Sequence, residues 1–531
     1  MTVRGREPNA PNFDPPLPPA YLLANHGARI LDPYGSQWVG SPTDFRPTAY
    51  VSSRLLVIDD LVEDEGINEA IATAADSFDW EVDEEADIAR QQERTADRPS
   101  RFRQVSFKMP TDIRKQPPDA WRVLQQARTN RGQRLRGVGL DHVMFANPGF
   151  IGAPFHDSNP FHDSNPFHDS NPVEGAAISG YGQQGGGGRQ PVVWLGAPPV
   201  RNNGIDGRRP LVAILDTGCG DHPWLKAGVS TVCEIDGRVV GLTDPATDPE
   251  QRGDVTGPLD GMIDPISGHG TFIAGLVRQA CPDADILTIR VVHGDGLIVE
   301  SELVQALEDV EELVKRAANG DEETGRVIDV LNLSMGYYHE DPEDPSFDSP
   351  LLATLQAMGR CGTVVVTSAG NDATSRKMFP AAFTPHATGH VPTPDPECVP
   401  VVSVGALNPN DTAALFSNSG EWVTCWAPGV SLVSTIPPFD GGAQPAVRTA
   451  QIPSVRSDNP GIRESLDPDN YSRQFAVWSG TSFAAPVVAG RIAQSLLEQS
   501  QNGQGRLADT EPSAAVQRGW RAVTDVTGLK P

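Results

Sequence analysis

The sequence predicts an α/β protein in which a parallel sheet flanked by helices follows a smaller α+β domain. Three observations carry that prediction. From Pro210 onward, short apolar runs alternate with segments of helical periodicity, the pattern of a parallel sheet covered by helices on both faces. Residues 48–146 hold a separate, shorter alternation with its own apolar positions. Between the two lies Gly-, Pro- and Asn-rich sequence without periodicity, about 147–208. A chain of 531 residues is also too long for one core, so two or more domains are expected.

Residues 1–47 are Pro-rich and polar and read as a poorly ordered arm. In 48–146, Leu55–Ile58 reads as a strand. Ile67, Ile71, Ala74, Ala75 and Phe78 recur at helical spacing. Phe102, Val105 and Phe107 mark a strand, Ala120–Arg128 a helix, and Val138–Phe145 a last strand. Arg90, Arg94, Arg98, Arg101, Arg103, Arg128, Arg131, Arg134 and Arg136 make this segment locally basic. No nucleic-acid motif accompanies them, so they read as a face docking on an acidic domain or as a solvated surface. In the linker, Pro154-Phe155-His156-Asp157-Ser158-Asn159 recurs from Pro160 and from Pro166. Each His-Asp pair could offer metal ligands, but the repeat reads as a tolerated expansion of a flexible loop, continued by Gly185–Gly188.

The larger domain, 209–500, has strand candidates at Leu211–Leu215, Ile286–Val292, Val327–Leu333, Thr363–Thr367 and Val399–Val404. Its helix candidates are Thr271–Gln279, Glu302–Ala318, Leu351–Met358 and Ser482–Glu498. Residues 435–474, rich in Pro, Asp, Asn and Ser, read as a surface insertion, and 501–531 as a C-terminal extension.

Lys and Arg total 42 against 69 Asp and Glu, a net charge of −27. That balance argues against a general nucleic-acid or membrane-surface binder. It suits a solvated acidic surface, or one that holds cations such as calcium. No apolar run of membrane-spanning length occurs, and no apolar h-region follows Met1, so a cytoplasmic protein is expected. Cys219, Cys233, Cys281, Cys361, Cys398 and Cys425 show no CxxC pairing and read as reduced thiols, with disulfides left open by their even number.

Three short segments carry the chemistry: Leu215-Asp216-Thr217-Gly218, Gly268-His269-Gly270-Thr271 and Gly480-Thr481-Ser482-Phe483-Ala484-Ala485-Pro486. A serine hydroxyl is a poor nucleophile at neutral pH. It needs a base within reach, and the base needs a third group to fix its tautomer. Ser482 opens a predicted helix, where free N–H groups and the positive dipole end favour developing negative charge. His269 lies between two glycines at another helix start, and Asp216 ends an apolar strand. Asp-Thr-Gly alone also suits a retroviral-type aspartic protease, which needs a second such carboxylate; a single copy is present here.

The order Asp…His…Ser with these flanking residues resembles the subtilases, the subtilisin-like serine proteases, over about 210–500. The resemblance implies peptide-bond hydrolysis of protein or peptide substrates through an acyl-enzyme, with no cofactor in the chemistry and structural calcium as a family habit. It implies that Asn371, in Ser368-Ala369-Gly370-Asn371, donates to the oxyanion beside the Ser482 amide. It makes Ser334, Met335 and Gly336 one wall of the substrate groove, and Ser368, Ala369 and Gly370 the facing wall. Phe379-Pro380-Ala381 is similar to a family turn. Phe272, Phe483 and Val487 depart from common family residues at non-catalytic positions. The stretch around Asp260 and Asp264 is a candidate cation site without assignable ligands. Residues 48–146 resemble, in pattern alone, the ferredoxin-like prodomain of many subtilases, which implies an inhibitor or folding chaperone removed by cleavage in the linker. A partner-recognition module is the alternative for that segment, and a non-catalytic binder on the same scaffold is the alternative for the whole.

Overall fold

The computed structural model describes residues 12–15, 17–32, 45–58, 66–93, 100–109, 116–132, 135–146, 181, 187–257, 259, 262–341, 350–442 and 471–531. The hexapeptide repeats, Gly185, Arg94, Arg98, Arg134, Asp260 and most of the 435–474 stretch lie outside the described residues.

The smaller domain is built from β1 (Ala49–Val57), α1 (Gly66–Asp76), β2 (Glu81–Val82), β3 (Arg103–Lys108), α2 (Ala120–Arg131) and β4 (Val138–Phe145). Its antiparallel strands run β4-β1-β3-β2. With α1 and α2 as connections this is the βαββαβ, ferredoxin-like arrangement. Alternation along β1 sends Leu55 and Val57 to one face, where they meet Ile67, Ile71, Trp121 and Leu124 of the helices. Leu56 faces the other way and joins the core of the larger domain. Asp119 caps α2 through Trp121 N, and Gly132, at φ +65°, ends it.

The larger domain contains β5 (Leu211–Asp216), α3 (His269–Ala280), β6 (Asp285–Arg290), β7 (Leu297–Val299), α4 (Glu300–Ala318), β8 (Val330–Leu333), α5 (Pro350–Arg360), β9 (Val364–Ser368), β10 (Val401–Leu407), β11 (Cys425–Pro428), α6 (Thr481–Gln501) and α7 (Pro512–Thr527). Its parallel sheet runs β11-β10-β9-β8-β5-β6, with the short strand Val229–Ser230 beyond β6. Both faces are buried, so the strands are largely apolar, with polar residues such as Asp216, Asn332 and Ser368 toward their C-terminal ends. Leu211, Ala213 and Leu215 pack on the α4–α5 side, and Val212 and Ile214 on the α3–α6 side. Thus the alternation predicted from the sequence is present, covered by helices on both faces.

Four elements differ from expectation. The edge strand β11 contains Trp426 and Pro428, a composition that hides strand character; an edge position tolerates the proline. The extension beyond residue 500 forms α7, whose Val516, Trp520 and Val523 pack into the core. The stretch 84–93 is a helix despite its polar sequence. In the Pro-rich arm, Ala20–Asn25 is a helix and Ala28–Ile30 pairs with β1, so the described part of 1–47 is structured.

The outer face of the small sheet lies on α4 and α5. Phe102, Val143 and Met144 join Leu303, Leu307, Val310, Leu351 and Leu355 in one cluster. Polar groups fix the contact. Asp141 accepts from Ser301 N at the start of α4 (3.0 Å) and from Arg54 Nε (2.5 Å). Arg101 forks onto Glu311, and Ser100 Oγ donates to Glu308 (2.8 Å). His142 is buried with Nδ1 2.8 Å from Glu300 Oε2 and Nε2 2.8 Å from Glu340 Oε2. The two carboxylates outweigh burial and raise the His142 pKa to about 10, so it is an imidazolium donating to both. His339 is close by, but its Nδ1 accepts from Asp341 N, so its Nε2 carries the hydrogen and has no lone pair for a metal.

Candidate active site

The three predicted segments converge where the sheet meets the N-termini of α3 and α6. Asp216 ends β5 and is fully buried. Its Oδ1 accepts from Thr217 N (2.8 Å) and lies 2.6 Å from His269 Nδ1. An ionised carboxylate only accepts, so Nδ1 holds the hydrogen and Nε2 is left as the basic nitrogen. The glycines around His269 have separate causes. Gly268 is at φ +83°, and a Cβ there would strike Ile436 at 2.7 Å. A Cβ on Gly270 would lie 2.1 Å from Gly218 O, so only glycine lets the two turns meet. Phe483 and Trp478 pack against the imidazole at ring distances of 5.3 and 5.9 Å. Phe483, a departure from the common family residue, thus helps exclude solvent.

Ser482 lies in the first turn of α6. Its Oγ is 3.5 Å from Ser334 O, and no hydrogen bond joins it to His269 Nε2, which has no partner among the described residues. Catalytic hydrogen bonds are often long before substrate arrives. Pro486 lacks the N–H that would bond Ser482 O, and Ser334 Oγ donates to that carbonyl instead (3.0 Å). Asn332 Nδ2 in turn donates to Ser334 Oγ (3.0 Å).

Asn371 follows β9. Its Oδ1 accepts from Thr481 N (2.9 Å) and from Thr481 Oγ1 (2.8 Å). The backbone donor identifies that atom as oxygen, so the amide nitrogen is the other one. A Cβ built on Gly480 would lie 3.6 Å from it, which places the N–H group at the serine turn. Thr481 is therefore an orienting residue, a role that its place in the serine motif does not reveal. Gly370 N also donates to Thr481 Oγ1 (3.1 Å), tying the two segments together.

Of the groove residues, Gly336 already has a strand partner. Phe145 N donates to Gly336 O (2.9 Å) and Gly336 N to Phe145 O (3.1 Å). On its other side β4 pairs antiparallel with β7, Leu297 opposite Phe145 and Val299 opposite Val143. Ala146 N donates to Gly296 O (3.1 Å). So β4 of the small domain fills the slot between Gly336 and β7. Met335 and Ala369 are core side chains, Ser368 is buried at the end of β9, and Gly370 O accepts from Asn418 N. Asp264, named above as a cation candidate, accepts from Val255 N (2.7 Å) and Thr256 N (2.9 Å). Both donors reach the same oxygen, Oδ2, so Asp264 braces this loop.

The model of the subtilase family matches residues 207–514, more than half of the chain. The chain belongs to the subtilase family. Residues 207–514 of this subtilase form a subtilisin-like serine endopeptidase domain, whose chemistry needs no cofactor. It is 25% identical over 349 residues to the serine protease AprX of Bacillus subtilis (strain 168), covering 60% of this chain and 66% of that one. It is 27% identical over 337 residues to the intracellular serine protease of Paenibacillus polymyxa, covering 61% and 77%. Among solved structures, it is similar to fervidolysin from Fervidobacterium pennivorans, a keratinolytic enzyme related to subtilisin. There the TM-score is 0.43 and the identity 16%, over 85% of this chain and 55% of that one. Among the described residues, no helix is long and apolar enough to cross a membrane.

One buried acid was missed by sequence reasoning. Glu250 sits behind Asp216 and His269 and bonds the turns that carry both. It lies in a loop rich in Asp and Pro with no motif around it, so nothing in the sequence separates it from its neighbours. All six cysteines are free thiols. Burial lifts Cys219, two residues beyond Thr217, to about 12, so it is no nucleophile at neutral pH.

Proposed function

We propose that Ser482 attacks the scissile carbonyl while His269 Nε2 takes its proton and Asp216 holds the imidazole. Rotation of the Ser482 side chain from Ser334 O toward His269 precedes attack. The Asn371 amide and the Ser482 N–H receive the oxyanion, and His269 returns the proton to the leaving amine. The observation that carries this reading is the 2.6 Å contact between His269 Nδ1 and Asp216 Oδ1, at the N-terminus of one helix and beside the serine turn of another. The extended substrate adds as a strand along Gly336, with Ser334–Gly336 and Ser368–Gly370 as walls. A fluorophosphonate probe tests the roles. Labelling that vanishes in Ser482→Ala is expected; labelling that persists in that variant refutes the assignment of the nucleophile.

The small domain acts as a prodomain-type inhibitor in cis. Support comes from β4, which occupies the Gly336 edge that a substrate strand needs. Its removal by cleavage in 147–208 relieves the block. A cytoplasmic setting is favoured by relatives named as intracellular proteases and by six unpaired cysteines. Structural calcium is supported by the acidic balance of the chain alone.

A further inference from the structure

Glu250 is a carboxylate, 2% exposed, that hydrolysis as described does not use. Its Oε1 contacts Thr217 Oγ1 closely and accepts from Gly270 N (2.9 Å). Its Oε2 accepts from Thr271 Oγ1 (2.5 Å). Thr217 and Gly270 are the residues immediately after Asp216 and His269. Thr217 Oγ1 is also 3.1 Å from Asp216 Oδ1 and accepts from Gly270 N (2.8 Å). One hydroxyl hydrogen thus stands between two carboxylates. It points to Asp216 or to Glu250, and it cannot serve both.

We propose that Glu250 is a positioning residue that sets the basicity of the Asp216–His269 pair through the direction of the Thr217 hydroxyl. This rests on the triad reading above. When Glu250 is neutral, its own O–H donates to Thr217 Oγ1, and Thr217 donates to Asp216 Oδ1. Asp216 then holds an extra donor and supports the imidazolium less. When Glu250 is ionised, Thr217 turns to it, Asp216 loses that donor, and a second negative charge stands behind the pair. His269 then holds a proton more tightly. Each proton transfer here is a rotation of O–H groups plus uptake or loss of one proton at Glu250, so nothing else is consumed.

The surroundings suit such titration in the working range. Burial, together with the charges of Asp216 and Asp248, raises the Glu250 pKa to about 7, against the hydrogen bonds from Thr217 and Thr271. The other charged or titratable groups facing it are Cys219, Arg189 and Arg290. Arg189 is held by the carbonyls of Ile263, Asp264 and Ser267, and Arg290 by those of Asp244 and Thr247. Neither forms an ion pair with Glu250 among the described residues.

The test uses the full chain and the low-field Nδ1–H proton resonance of His269, assigned by its loss in His269→Ala. This readout needs no turnover, so it works while β4 fills the groove. Glu250→Gln keeps the shape and removes the negative charge that draws the Thr217 hydroxyl away from Asp216. It is expected to weaken proton binding at His269 by about three- to tenfold, moving the titration midpoint down by about half to one pH unit. Thr217→Val removes the donor from Asp216 and is expected to move the midpoint upward. The Glu250→Gln shift should shrink by more than half in the Thr217→Val background. A midpoint unmoved in Glu250→Gln, or an undiminished Glu250→Gln shift without the hydroxyl, overturns the proposal. Should Glu250→Gln not fold, Glu250→Ala is read by the same resonance, with and without Thr217→Val, against the same two outcomes. Loss of fluorophosphonate labelling in Ser482→Ala separately reports whether the triad reading holds.

Discussion

His142→Ala is the sharpest test of how the small domain is held. The imidazole is buried between Glu300 and Glu340 of the protease domain and donates to both at 2.8 Å. Removing it leaves two buried carboxylates facing a cavity. Breaking a buried pair by deleting one partner typically costs about 3–5 kcal/mol. If that falls on docking alone, the open population rises by about two to three and a half orders of magnitude, since about 1.4 kcal/mol is tenfold. Fluorophosphonate labelling of the full chain at neutral pH should accelerate until limited by the triad itself. Near-native melting of the protease domain would show that the loss is in docking. The same contact gives a pH dependence. The His142 pKa is raised to about 10 in the folded chain, so its contribution is complete below its unfolded value of about 6.5. It is lost as pH rises through about 10. Against the effect of burial, the His142 imidazolium that donates to it holds the Glu340 carboxyl well below its ordinary range, so its share is present above about pH 4.5 and lost as pH falls through the depressed value. Docking is therefore strongest in mildly acidic solution and loosens toward alkaline pH. Labelling equal to that of the unsubstituted chain, together with unchanged protection of the β4 amides from hydrogen exchange, would refute this account.

Asn371→Ala should lower kcat by about 10²–10³ with KM little changed, measured on a peptide substrate after release of the small domain; that magnitude is the known cost of losing an oxyanion donor in subtilisin, a relative of this chain, and is carried over from it. Thr481→Val, which keeps the backbone donor to Asn371 Oδ1 but loses the hydroxyl, should show a smaller loss in kcat in the same assay. Leu307→Ala, in the α4 core between the two domains, should destabilise by about 2–5 kcal/mol in urea unfolding.

What was legible in the sequence was whatever local chemistry enforces. Gly268, Gly270 and Gly480 stand out because a side chain there meets a neighbouring turn or an unusual φ, and they frame His269 and Ser482. The strands β5, β6, β8, β9 and β10 are largely apolar because both faces are covered, so their runs mark a parallel sheet without reference to partners. The helix α7, begun by the Glu511 cap with Pro512 in its first turn, was not read from the sequence, where 501–531 stood only as an extension. Glu250 was illegible for a different reason. Its importance lies in meeting Thr217, Gly270 and Thr271 across 20 to 33 positions of sequence, and no local pattern encodes a meeting. The occupied groove was hidden in the same way. Val138–Phe145 reads as a strand, but that its end pairs with Gly336 is a property of docking.

That pairing has a kinetic consequence. On the proposed reading a substrate adds to the Gly336 edge, where β4 of the same chain already pairs. A strand joined by a linker competes at an effective concentration on the order of mM. A peptide substrate present at micromolar levels is outcompeted by about a thousandfold even if it pairs equally well. Cutting in 147–208 ahead of Gly187 removes the tether and leaves the bonds of Arg189 and the pairing of Gln190–Pro191 on the protease domain in place. The small domain then competes only at its free concentration, so at nanomolar enzyme the block weakens by several orders of magnitude. Activity should therefore appear with dilution after cleavage, and not before it. Mass spectrometry across a dilution series, paired with labelling rates, checks this: uncleaved chain that labels as fast as cleaved, diluted chain would mean that β4 does not guard the groove.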